Sequence, residues 1–496
     1  MTRTTLSASP KIRMNEIILA DKLFKNALLI DGTGAPGYVG DLAIADDRIV
    51  KLGGSAQVEA AIVIDVAGKV ISPGFIDTHT HDDCALLRHP DMAMKASQGV
   101  TTVVAGNCGA SLAPLVAEVV PPPLDLVGRG EISRWYRFAT FADYLHELDQ
   151  SPPAVNAVCL VGHMTLRVAT MDRTDRAAST REINRMRLKL DESLASGAAG
   201  FSTGLGYEPS RDSTTEEIIQ IAAGLKRHGG IYATHMRDEG DAIIEAMDES
   251  FEIGRACDVP VVVSHFKCYG EANFGRSPET LAYLEKAAGN QPVGFDVYPY
   301  SAASTTLDKH EVKLVSKVVI TGSLPHPEMA GKELDTIASQ WDVGIEEAID
   351  RLNPAGGTYY GMEETDVRRI LAHPDAMIGS DGIPDDPLPH PRLWGTFARV
   401  LGYYVRDVGL FSLEEAIRKM TSLPAKRFSL TGRGTLEVGA FADLVIFNPE
   451  TIGDTATYET PIAFAAGIEQ VLVNGRVVWK DEAPTGHLPG RVLRQN

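Results

Sequence analysis

Two histidines, His79 and His81 in the stretch DTHTHDD, stand two residues apart. On an extended chain that spacing turns both imidazoles to one side, because strand side chains repeat with a period of two. It is a metal-ligand spacing, and equally a spacing for two structural hydrogen bonds. Other metal-capable residues close apolar runs further along: Cys108 in GVTTVVAGNCG, His235 in GIYATHM, His265 in PVVVSHFK and Asp381 in AMIGSDG. Four imidazoles, one thiol and one carboxylate make a donor set for one or two borderline-soft cations, zinc foremost, and a mixed imidazole and thiolate set disfavours Mg²⁺ and Ca²⁺. Such a site brings the pKa of a bound water near neutrality and polarises a carbonyl, the equipment of hydrolysis. A carboxylate must then carry the proton to the leaving group, and Asp381 is the best placed. The bland alternative for Cys108 is a small buried hydrophobe, the usual fate of a free cysteine. A core filler, however, needs neither Gly-Asn before it nor Gly after it.

These residues can meet only if the strands that end in them share one rim. Eight apolar runs recur along the chain: VISPGFIDTHTH, VTTVVAGNCG, NAVCLVGHM, AAGFSTGLGY, GIYATHM, PVVVSHFK, VGFDVYPY and AMIGSDG. Helical text separates most of them, such as REINRMRLKLDESLASG and STTEEIIQIAAGLKRHGG, the second with a Ser/Thr start and a Gly stop. Eight buried strands alternating with helices predict an α/β fold, a (β/α)₈ barrel of the TIM type, whose chemistry sits at the C-terminal ends of its strands. A doubly wound sheet is the runner-up. Alternating segments at both ends of the chain (EIILADKLFKNALLIDGTG, DLAIADDRIVKLGG, ADLVIFNP, IEQVLVNGRVVWKD) predict one small β-sandwich domain built from the two termini. The expected organisation is a flexible tail over 1–14, the β-domain from 15–72 and 423–496, and the barrel over 73–422. Residues 302–375 are too long for one loop between the seventh and eighth strands and contain helical text, so they predict a lid subdomain.

The 496 residues carry 47 basic against 66 acidic side chains, a formal charge of -19, which argues against a nucleic-acid or anionic-membrane partner and leaves a small molecule as the expected one. Five cysteines (Cys84, Cys108, Cys159, Cys257, Cys268) include no CxxC pair, which suits a reducing cytoplasm better than a disulfide framework. Neither a signal-type apolar stretch nor a window of about 18 apolar residues occurs. The oligomeric state stays open between a monomer and a small homo-oligomer. His163, in VGHMTLR, also ends an apolar run and reads as a hydrogen-bonded structural histidine. Cys84 and Cys268 read as neighbours of the site, and Cys159 and Cys257 as core.

Taken together, PGFIDTHTHDD, GVTTVVAGNCG, GFSTGLGY, THMRDE, SHFKCYGEANFGRS, DVYPY, GSDGIPDDPLPHPRLWG and GTLEVGAFADLVIFNPE resemble the amidohydrolase superfamily and, within it, the group of N-acyl-D-amino-acid deacylases. The HxH pair alone would indicate only the superfamily, whereas NCG with SHxK and HPRLWG is more specific. The resemblance covers nearly the whole chain after residue 15. It implies a tight zinc site made by Cys108, His235 and His265, and a weaker second site, which can be empty, made by His79, His81 and Asp381. Cys108 would stand where many relatives carry a carboxylated lysine or a glutamate. It further implies that Lys267, Tyr298 and Arg392 hold the substrate α-carboxylate, a task suited to a point charge, a hydroxyl donor and a planar fork. Tyr359 and Met362 would line the side-chain pocket, with lid core as their alternative. Glu311 stands where relatives that prefer acidic substrates have an arginine, and Lys313 where some are apolar. The implied reaction is hydrolysis of an N-acyl-D-amino acid, leaning to neutral or apolar side chains, with N-acyl-D-glutamate or N-acyl-D-aspartate as alternatives.

Two rivals share the scaffold. A cyclic-amide or dipeptide hydrolase would keep the metal ligands without needing the carboxylate clamp. A non-catalytic scaffold should have lost ligands, and all six are present.

Overall fold

The computed structural model describes residues 17–54, 56–128 and 131–495; the expected tail at 1–14 lies outside them. Eight parallel strands follow one another around a barrel: β1 (Phe75–Asp77), β2 (Val100–Ala105), β3 (Asn156–Gly162), β4 (Gly200–Gly204), β5 (Ile231–His235), β6 (Val261–Val263), β7 (Val293–Val297) and β8 (Ala376–Ile378). Each pairs with the next in parallel, as the eight apolar runs predict. The first run splits at Gly74, because Val70–Pro73 pairs instead with the terminal sheet.

The strands are apolar on both faces because both are covered. Ile76, Val104, Val158, Leu160, Ile231, Val262 and Met377 fill the barrel interior, plugged from below by Phe428 and Leu430. Their neighbours Phe75, Val103, Val161 and Val263 pack outward with the helices in a second core. A barrel packed this way is closed at its base, so a ligand can enter only from the rim where the strands end.

The helices begin where the sequence signals them. Thr180–Ala195 starts at Ser179, which exchanges hydrogen bonds with Glu182 in a capping box. Thr215–Ala222 is capped by Thr214, and its continuation stops at Gly229, whose φ of 64° suits glycine. Beyond β7, Ala303–Thr306, Val318–Ser323 and Ala355–Tyr359 make a three-stranded antiparallel sheet with the helices Leu334–Trp341 and Ile345–Leu352. Both chain ends build one nine-stranded sheet over their own core of Phe24, Leu29, Leu42, Ile44, Leu444 and Leu472. Among the described residues, no helix is long and apolar enough to cross a membrane.

One buried charge cluster lies behind the barrel rim. His163 places Nδ1 2.9 Å from Ser210 Oγ and Nε2 3.2 Å from Glu217 Oε1, and Arg167 also pairs with Glu217. Burial would raise the Glu217 carboxyl, but its bonds to His163 and the charges of His163 and Arg167 outweigh burial and hold it at about 2. A folded-state value below the unfolded one, near 4.5, means stability that is fully present above pH 4.5 and lost as pH falls toward 2. Glu217→Gln should therefore cost about 3–5 kcal/mol near neutrality. In denaturant melts the gap from wild type should narrow by about 1.4 kcal/mol per pH unit below 4.5. A gap independent of pH down to 3.5 would show that the carboxylate is not what the cluster needs.

Candidate active site

At the end of β2 the chain turns sharply inward. A Cβ on Gly106 (φ 81°) would lie 2.1 Å from the Leu160 carbonyl oxygen, and one on Gly109 (φ 75°) 2.9 Å from the Gly204 nitrogen. Only glycine fits either place, and between them Asn107 Nδ2 donates to the Val104 carbonyl at 2.8 Å. This turn holds Cys108 at the barrel rim with φ 51°, in the left-handed region that non-glycine residues avoid. His265 (φ 35°) and Asp381 (φ 50°) share that conformation at the ends of β6 and β8. Three strained backbones at one rim mark a place where geometry was kept at the expense of stability.

The donor atoms converge there. Cys108 Sγ lies 3.2 Å from His79 Nε2 and 3.3 Å from His265 Nε2, and His265 Nε2 lies 2.9 Å from His235 Nδ1. Asp381 Oδ1 is 3.2 Å from His81 Nε2 and 3.5 Å from His79 Nε2. Ligand atoms of His79, Cys108, His265 and Asp381 all fall within 4.8 Å of one another, and all four residues are buried. Donors roughly 2.0–2.3 Å from a common cation stand about 3–4 Å apart from each other, so the set fits a metal ion of the zinc type. Burial alone would push the Cys108 thiol up, but the imidazoles of His79 and His265 and hydrogen bonds from His235 and His265 outweigh it and hold the thiol well below its ordinary value. Asp381 is likewise held well below the usual carboxylate range, against burial, first of all by Arg392.

The six residues singled out from strand ends thus meet at one rim, and the structure adds partners that local spacing could not reveal. Asp296 of β7 places Oδ1 3.2 Å from His79 Nδ1 and accepts from the His265 backbone N–H at 2.8 Å. Glu239, just beyond β5, lies 3.0 Å from His265 Nδ1 and 2.6 Å from Lys267 Nζ. With His235 and His265 it forms a second cluster of metal-capable atoms. Each is a single acidic residue whose partner lies on another strand.

A cavity of about 740 Å³ opens above the rim, a size suited to a small ligand. His235, His265, Lys267, Tyr298 and Asp381 line it below, and Tyr207, Tyr269, Thr305, Glu311 and Leu314 line it toward the lid sheet. Of the proposed carboxylate clamp, Lys267 and Tyr298 reach the wall and Arg392 does not. Arg392 is buried behind Tyr298, with its guanidinium carbon 4.7 Å from the ring centre, NH1 2.9 Å from Asp381 Oδ2 and NH2 donating to the Ser304 carbonyl. Tyr359 and Met362 also stand outside the wall. Tyr359 is buried in the lid sheet, its hydroxyl donating to the Thr306 carbonyl at 2.7 Å, and Met362 packs its sulfur 3.8 Å from the Tyr298 hydroxyl. Tyr359 thus sits in the lid sheet, whereas Met362 lies beside the barrel end, lining a small cavity with His265, Lys267 and Tyr298. Lys313 points outward and pairs with Glu346 at 2.8 Å.

Residues 62–479 match the model of an amidohydrolase family. A D-aminoacylase of Alcaligenes xylosoxydans xylosoxydans is 54% identical over 95% of this chain and 97% of its own length. An N-acyl-D-aspartate deacylase of the same organism is 50% identical over 96% and 95%. A crystal structure of an N-acyl-D-glutamate deacylase from Bordetella bronchiseptica, complexed with zinc and a phosphonate that mimics the tetrahedral intermediate of its reaction, superposes with a TM-score of 0.91 at 41% identity, covering 97% of this chain and all of that one. With eight strands, a rim of metal-capable donors and these relatives over nearly its whole length, the chain belongs to the amidohydrolase family, in its D-aminoacylase group, and is a metal-dependent hydrolase.

Proposed function

We propose that this protein hydrolyses N-acyl-D-amino acids to a carboxylate and the free D-amino acid, using zinc held tightly by Cys108, His235 and His265. His79, His81 and Asp381 offer a second, weaker site. The observation that carries this reading is the convergence of His79, Cys108, His265 and Asp381 below a cavity whose wall also bears Lys267 and Tyr298. When bound, the metal polarises the acyl carbonyl and eases deprotonation of water. Lys267 and Tyr298 engage the α-carboxylate, and Arg392 reinforces them from behind Tyr298. The Asp381 carboxylate takes the proton of the attacking water and delivers it to the nitrogen as the C–N bond breaks. Arg392 holds it in the carboxylate form, the form that takes up a proton. Clamp, metal and side-chain pocket fix three points around the α-carbon, so an L-isomer misplaces one of them. Five unpaired, buried cysteines suit a cytoplasmic protein, as a monomer or small homo-oligomer.

For the side chain we propose neutral or apolar groups. Glu311 faces the cavity beside Tyr269 and Leu314, and burial keeps its carboxyl above the ordinary value. An acidic substrate side chain would meet a carboxylate there, a like-charge contact worth several kcal/mol. N-acetyl-D-methionine should exceed N-acetyl-D-glutamate by about 100-fold in kcat/KM, and Glu311→Leu should narrow that gap to under about tenfold. Assays on paired D- and L-isomers test the reading itself: equal rates on both would remove the deacylase assignment even with the metal in place.

A further inference from the structure

Every pair of neighbouring barrel strands is joined by a ladder except the last. β4 and β5 pair over five residues, whereas β8 and β1 share no ladder; the backbone joins them through Thr78 N–H donating to the Ile378 carbonyl at 3.3 Å, Asp381 N–H donating to the His79 carbonyl at 2.8 Å and the isolated bridge between Thr80 and Gly382. Side chains add to these few backbone bonds in closing the seam. Thr78 Oγ1 donates to the Ile378 carbonyl at 2.9 Å, and the Ser380 backbone N–H donates to Asp77 Oδ1 at 2.8 Å. Behind them lies Lys95, on the short helix Ala93–Ala96, fully buried. Its Nζ is 2.8 Å from Asp77 Oδ2, 2.8 Å from Ser380 Oγ and 3.3 Å from Asp82 Oδ2, and Asp77, Asp82 and Ser380 are also fully buried. The ammonium thus donates two hydrogen bonds, to Asp77 and Ser380, and faces Asp82 as an ion pair.

The partners are not arbitrary. Asp77 and Asp82 bracket His79 and His81, and Ser380 directly precedes Asp381, whose left-handed backbone needs an outside restraint to persist. We propose that Lys95 is a positioning residue, whose buried ammonium joins Asp77, Asp82 and Ser380, closes the barrel between β8 and β1, and holds the Asp381 carboxylate where proton transfer needs it. The inference rests on the proposed role of Asp381. It differs from a purely structural ion cluster in one respect: its loss must act on the strand that carries Asp381 more than on the rest of the barrel. Removing the ammonium leaves two buried carboxylates facing each other, so the seam should loosen rather than merely lose a bond.

The test compares Lys95→Met with Lys419→Met, a second fully buried lysine that bonds the His373 carbonyl away from the rim. Both should lower the melting temperature. Per folded molecule loaded with zinc, Lys95→Met should lose at least about 30-fold in kcat on N-acetyl-D-methionine with KM within about threefold, a size set by misplacing one proton-transfer group. Lys419→Met should keep kcat within about twofold. In the metal-free protein, amide exchange over residues 378–382 should rise at least about tenfold in Lys95→Met while β3 to β5 are unchanged. Ser380→Ala, which removes one anchor and leaves both ion pairs, should show the same effects at smaller amplitude and decides the matter if Lys95→Met does not fold. Unchanged kcat and unchanged exchange at 378–382 would overturn the proposal. If the wild type turned over no N-acyl-D-amino acid, the deacylase reading would fall, and the exchange rates would still decide the joint.

Discussion

Cys108→Ala is expected to purify without tightly held zinc and to lose about 10³-fold or more in kcat/KM. The thiolate is the one sulfur donor in the set, and its Sγ stands within 3.3 Å of two imidazole nitrogens, so its removal takes away the ligand that His79 and His265 share. A Lewis-acidic cation contributes several kcal/mol of charge stabilisation to acyl transfer, and each 1.36 kcal/mol is a factor of ten in rate. Metal content by elemental analysis, beside the assay, separates the two effects. A variant that keeps one equivalent of zinc after dialysis would show that the imidazoles alone hold it, and Cys108 would revert to a core residue.

Asp381→Asn is expected to behave oppositely: zinc retained on Cys108, His235 and His265, and kcat lowered by about 10³- to 10⁴-fold with KM within a few-fold. The amide keeps the shape of the carboxylate but cannot accept a proton, and general acid–base assistance is worth up to about 10⁴. Stability should fall as well, because Arg392, fully buried behind Tyr298, loses its anionic partner 2.9 Å away. The pairing of full zinc with absent turnover is the signature sought. An Asn variant with more than about a tenth of wild-type kcat would move the proton shuttle to another group, such as Glu239, which lines the cavity beside His265.

What the sequence makes legible follows from the range of the forces involved. Strands buried on both faces write themselves as continuous apolar runs, so all eight were visible, and a ligand at a strand end stands out because the apolar run stops at it. GNCG was readable because two close backbone approaches require glycine on either side of one thiol. Asp296, Glu239 and Lys95 were not. Each is a lone charge in or beside an apolar segment, and the partner that gives it meaning lies on another strand, 217 residues away for Asp296 and His79 and 285 for Lys95 and Ser380. No local periodicity records such a pairing. Tyr359, Met362 and Arg392 show the converse: a motif can place residues near the cavity without telling which side of its wall they face. The seam between β8 and β1 escaped for the same reason, since no ladder crosses it and the buried side chains that reinforce its few backbone bonds are far apart in sequence.

The left-handed backbones of Cys108, His265 and Asp381 set the protein against its own robustness. Such conformations cost of order 1–3 kcal/mol apiece in residues other than glycine. A glycine in any of the three places would relax the chain and erase a donor with the same stroke. Laboratory selection for heat resistance alone would therefore drift toward tougher, inert descendants, and a durable catalyst has to gain its extra melting temperature elsewhere, in the terminal sheet or the outer helices.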